Sequence, residues 1–459
     1  MSDLPDPDDF FGGLPPELRQ MIEQLAGSGG LANLGSVLGG GQTGPVNWDL
    51  ARRAAMEKAN EGDHAPTAAD EQRFEEAQRV AEHWLDDSTL PAPPDAGRLL
   101  VASRHDWIDA ALTSMRPMIE PVAAASTRAM GDVTKQQLGD TDLDAMGLGP
   151  LAGMLGDLDL DAMMRPVGAM LAGLQAGQVI GQLSRQLLGQ FELGVPTAPR
   201  ATAVHITPNI TETFAGWELD DTEIAVSLAL VEGAHRRLYH AVPWLEAHLY
   251  GLIAQFANGT EIDPRQLEDM ARELMVELDP DDPEAMRDAM ARAGQFRLEP
   301  TEAQRRVLER IQGVVGLVGA WARREIDRSA GDRLPNRDRM DEVLRRRRAT
   351  KGSGEELLEQ LLGLDLKPAD ETLGDLFVAA VEDRRGPQIL RRALAHPENL
   401  PDTAELADPN LWLERMETTD DVPDDAAALF GDLGDAPVEP SADERLEGPD
   451  RDDDGADES

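Results

Sequence analysis

The chain contains no cysteine. That excludes a disulfide scaffold, a thiolate nucleophile, and any cysteine-ligated zinc or iron–sulfur site. Lysine is almost as scarce: of 43 basic residues, only Lys58, Lys135, Lys351 and Lys367 are lysine. This arginine bias, with abundant alanine and glycine, points to a GC-rich genome. The first ten residues, MSDLPDPDDF, have neither a basic n-region nor an apolar h-region. A secretory signal is therefore not expected, and the predicted location is cytoplasmic. Three signatures are also missing: a G-x-S-x-G elbow, a Walker loop, and a G-x-G-x-x-G in strand–turn–helix context.

Acid is abundant. Asp and Glu number 87, giving a formal net charge of −44 and a pI near 4.4. Such a field disfavours nucleic acid and anionic membrane surfaces as partners and leaves a protein partner open. Acidic tails on an ordinary acidic protein explain more of this charge than salt adaptation does. Hydrophobic residues make up 41% of 459, enough for a sizeable core.

The composition divides the chain into three parts. Residues 1–45 are rich in Gly, Pro and Asp and predict disorder apart from a short helix at PPELRQMIEQLAG. Residues 46–415 read as one mainly α domain. Residues 416–459 form an acidic tail ending RDDDGADES, again expected to be disordered. Within the body, helices are predicted at NWDLARRAAMEKA, at TAADEQRFEEAQRVAEHWLDD from Thr67, and through PPDAGRLLVASRHDWIDAALTSM. Gly131 to Gly156 reads as a long loop. LDLDAMMRPVGAMLAGLQAGQVIGQLSRQLLGQFELG then reads as one long helix, and VPTAPRATAVHITPNI as a break holding a short strand. Helices follow from about Asp220 to Tyr239, after Pro243, at DPRQLEDMARELM and DPEAMRDAMARAG, and over TEAQRRVLERIQGVVGLVGAWARREIDRSAG. Two or three more reach about Arg385, and DPNLWLERM is the last apolar segment.

Ala169, Gly173, Gly177 and Gly181 recur every four residues and make one stripe of small side chains. Gly313, Gly316 and Gly319 make a second. Such stripes let another helix approach closely, in the same chain or in a second copy. Gln175, Gln178 and Gln182 interrupt the first run between Arg165 and Arg185, which favours a buried core helix over a membrane span. Trp107, Trp217, Trp244 and Trp321 are expected as core anchors. Arg345 to Arg348 form the one dense basic run, and intramolecular pairing suits it better than a phosphate or an acidic partner.

One stretch invites a chemical reading. In ALVEGAHRRLYHAVPWLEAHL, Glu232 stands three residues before His235. A zinc-peptidase HExxH helix puts two histidines four apart on one face, with a glutamate beside the first to activate the metal-bound water. Here Val231 occupies the first histidine's place. An isolated ExxH more often marks a buried structural pair, in which His235 bonds within the core and Glu232 accepts from Arg236 or Arg237.

The stretches NWDLARRAA, VASRHDWIDA, AGLQAGQVIGQLSRQLLG, ALVEGAHRRLYHAVPWLEAHL and RRRRATKGSGEELLEQLLGLDLKP resemble the actinobacterial zincin-like family of hydrolases and zinc-dependent metalloproteases. The resemblance spans most of the body. It implies a zincin-like helical domain over residues 46–415, with Glu232 as catalytic base and His235 as metal ligand. The family's third ligand is a glutamate in a stretch like LVEGW, and here Leu317-Val318-Gly319-Ala320-Trp321 places Gly319 there. The chain therefore resembles a branch with a degenerate HExxH, related to one associated with deazaflavin-coenzyme biosynthesis. The leading expectation is a silent member that acts by binding and holds no cofactor. The alternatives are an active metallohydrolase, whose zinc would need ligands beyond His235, with His205, His240 and His248 the histidines nearest in sequence, and an acidic protein–protein scaffold.

Overall fold

The computed structural model describes residues 44–94, 98–140, 160–259, 300–349, 353–365 and 371–420. The expected tails before Gly44 and beyond Asp420 lie outside these residues. So do the helices expected at PPELRQMIEQLAG, DPRQLEDMARELM and DPEAMRDAMARAG, and the part of the expected loop from Thr141 to Gly156.

Helices dominate because the sequence starts them explicitly. Helix α1 (Trp48–Ala59) begins where the Asn47 side chain accepts the Leu50 N–H. Helix α2 (Ala68–Trp84) opens with a capping box between Thr67 and Asp70. The run read as one helix across Leu99 to Met115 divides instead. Leu99–Ala102 is strand β1, and α3 (Arg104–Ser114) starts after a second capping box, Ser103 with Asp106. Helix α4 (Arg116–Asp140) takes in ten residues assigned to a loop by their glycines. Helix α5 (Leu160–Ser184) stops short of its expected end. The segment after it leads to strand β2 (Ala203–Ile206), which pairs in parallel with β1: Leu99 faces Ala203 and Ala102 faces Ile206.

Helices α6 (Thr207–Phe214), α7 (Asp221–Ala241, capped by Asp220) and α8 (Trp244–Asn258, after Pro243) follow. Helix α9 (Glu302–Ala330) opens with the Thr301–Gln304 box. Helices α10 (Arg337–Ala349), α11 (Ser353–Leu362), α12 (Glu371–Arg385), α13 (Leu390–Ala393) and α14 (Thr403–Ala407) complete the first of two units, Met1–Pro409. The second unit, Asn410–Ser459, contains most of helix α15 (Pro409–Asp420), which runs past Met416 into the segment expected as tail.

Both small-residue stripes pack inside this chain. Helix α5 lies along α1 so closely that a Cβ at Gly177 would sit 2.6 Å from the Ala51 carbonyl oxygen, and one at Gly173 would sit 2.5 Å from that of Asn47. On α9, Gly316 receives Gly374 of α12, where an added Cβ would come 2.7 Å from the Gly316 oxygen. Helix α7 is sandwiched between α2 and α9. No helix among the described residues is long and apolar enough to cross a membrane.

The close α1–α5 approach makes a sharp prediction. Gly177→Ala should lower stability by about 1–3 kcal/mol, because the backbones must separate. Gly251→Ala on α8 meets nothing within 4 Å. It should leave stability unchanged or raise it by about 0.5–1 kcal/mol, the ordinary gain for removing a helical glycine. Urea midpoints of the two variants check this.

Candidate functional site

The outward edge of β2 poses a backbone problem. Ala203 N–H turns toward β1 and reaches the Arg98 carbonyl, so the N–H groups of Val204 and Ile206 point the other way. Among the described residues no further strand is there to accept them. Ile206 N–H donates to the Leu188 carbonyl at 2.9 Å. Val204 N–H donates to Glu232 Oε2 at 3.0 Å. Glu232 Oε1 accepts Gln190 N–H at 2.9 Å. One buried carboxylate on α7 thus fastens the strand edge and the segment leading into it. Gly189 is required beside it, since a Cβ there would meet Glu232 Oε1 at 2.4 Å.

The same segment covers the rest of that helix face. Phe191 stacks on His235, with ring centroids 5.0 Å apart, and on Tyr239 at 5.6 Å. Tyr239 Oη donates to the Gly194 carbonyl at 2.9 Å. Gly194 has φ +73°, which favours glycine, and a Cβ there would strike Val315 of α9 at 2.4 Å. Glu232, His235 and Tyr239 stand three and four residues apart, so one face of α7 presents all three. Gln190 to Gly194 lies across them.

His235 Nδ1 lies 2.8 Å from the Val231 carbonyl, which only accepts, so Nδ1 carries the proton. Burial, opposed by the Val231 carbonyl and reinforced by the Arg323 guanidinium of α9, lowers the His235 pKa to about 4. Burial pushes Glu232 up to about 8, although its two N–H donors and Arg236 favour the charged form. Arg236 Nη1 lies 3.5 Å and Arg237 Nη2 2.9 Å from the Glu82 carboxylate on α2. Arg236, one helical turn on from Glu232, also favours its charged form. The bonds to Glu232 come from backbone amides, which no residue type announces.

The metal that an HExxH helix implies does not fit this donor set. Val231 offers no side-chain donor, and its carbonyl is spent on His235. Gly319 has no side chain, and a Cβ built there would lie 3.2 Å from Arg323 Nη1. That guanidinium pairs with Asp375 of α12 at 2.9 Å and keeps a cation beside the third-ligand position. Among the described residues no three His, Asp or Glu side chains group as a metal would need. Of the other histidines, His240 is exposed, and His248 packs edge-on against Trp244. Three arginines of the basic run are paired in place, Arg345 and Arg346 with Glu342 and Arg347 with Glu192, and the Arg348 side chain lies outside the described ones. Trp107 and Trp321 are core anchors as expected, whereas Trp217 and Trp244 are only half-buried.

His205 on β2 is fully buried and stacks flat on Phe74 at 4.3 Å. Neither ring nitrogen has a hydrogen-bond partner among the described residues. Burial, reinforced by Arg236, depresses its pKa to about 3. The unfolded chain therefore binds a proton from about pH 6.5 downward that the folded chain refuses, so stability falls as pH drops through this window. His235 adds to this loss, and Glu232 opposes it. His205→Leu should cost less than about 1.5 kcal/mol at pH 7, because no hydrogen bond is lost. It should also make the decline between pH 6 and pH 4 shallower by up to about 1.4 kcal/mol per pH unit. Thermal melts across that range measure both.

Comparison with known proteins places the whole arrangement. The model of the zincin-like metallopeptidase family matches residues 46–413. A solved structure from Chloroflexus aurantiacus, described as a putative hydrolase with a novel fold, superimposes with a TM-score of 0.54 at 20% identity. That match covers 81% of this chain and 99% of the other, and at this identity it speaks for the fold alone. No curated protein matches the chain. With the family's pattern running through nearly all of the helical body, this chain belongs to the zincin-like metallopeptidase family.

Proposed function

We propose that this chain is a catalytically silent member of its family, from a branch with a degenerate HExxH, and that it acts by binding. One observation carries the reading: both oxygens of Glu232 accept backbone N–H bonds, from Gln190 and Val204. A general base needs a carboxylate lone pair aimed at the water it activates. Here that carboxylate closes a strand edge, under a segment that also covers His235 and Tyr239. Val231 and Gly319 at ligand positions agree with this. An actinobacterial source suits the arginine bias, and a cytoplasmic location belongs to the same reading. The strong negative charge argues for partners other than nucleic acid or an anionic membrane.

A second reading, an active metallohydrolase with non-standard ligands, rests on one feature of His235. With its Nδ1 proton on a backbone carbonyl, its Nε2 keeps a lone pair, the tautomer that metal-binding histidines use. It lacks companions in the donor set described above. Elemental analysis of the purified, untagged protein beside a His235→Ala variant separates the two readings. The silent reading expects no stoichiometric transition metal in either protein. One metal per chain in the wild type, lost in the variant, would overturn it.

A further inference from the structure

We draw no further inference here: the strongest candidate, the exposed apolar patch of Leu171 and Leu174 on helix α5, carries nothing because nothing in the structure shows what covers it.

Discussion

A two-stranded parallel sheet cannot stand with one edge open in the middle of a protein, and the carboxylate of Glu232 closes that edge. Buried N–H groups left without acceptors cost about 1–3 kcal/mol each. Glu232 satisfies two of them, on Val204 and on Gln190, and so ties β2 and the segment before it to α7. The requirement propagates outward. Gly189 must lack a side chain to admit the carboxylate, and Gly194, left-handed at φ +73°, must lack one beside Val315. Phe191 then falls between His235 and Tyr239. Other acidic side chains do similar work in the first unit. Glu325 accepts from the Thr89 N–H and hydroxyl, Glu223 holds Asn336, and Asp63 holds the Arg104 N–H. Part of the chain's large acid content therefore serves to fasten irregular backbone.

Much of the fold was legible because it is written in local chemistry. Asn47, Thr67, Asp220 and Thr301 are caps whose side chains bond the next turn, and each starts a helix where the sequence places one. The glycine stripes were legible as close-packing faces because their spacing alone makes a groove. Their partners were not, since α1 and α12 lie far off in sequence. Strand β1 was misread because Leu99–Ala102 is too short to show alternation and its partner begins about a hundred residues later. The glycines after Gly131 suggested a loop, yet α4 runs on to Asp140. The apolar pattern after Ser184 suggested more helix, but the chain leaves it to deliver Gln190 and Phe191 to α7.

For the candidate site, residue types pointed to Glu232 and His235, and the structure does bring both onto one buried face. The nature of their contacts was hidden. The groups that engage Glu232 are main-chain amides, identical at every residue, so only the tertiary path of the chain reveals them. Of the arginines expected beside it, Arg237 is turned toward Glu82, whereas Arg236 pairs with Glu82 at 3.5 Å and still favours the charged form of Glu232. Tyr239 and Arg323 escaped notice because neither belongs to the motif. Their positions depend on how α7 and α9 face each other.

The family membership and the local geometry thus carry different information. The family match covers the helical body, and on α7 within it the Glu232 carboxylate is an acceptor for two backbone amides. The most direct test is amide hydrogen exchange at Gln190 and Val204, in the wild type and in Glu232→Gln, read together with global stability. If the carboxylate is the fastening, both amides exchange slowly in the wild type, and at least one speeds up in the variant as stability falls by about 1–3 kcal/mol, because an amide accepts through only one of its two ends. Unchanged protection at both amides with unchanged stability would contradict this account, leaving Glu232 free for other chemistry.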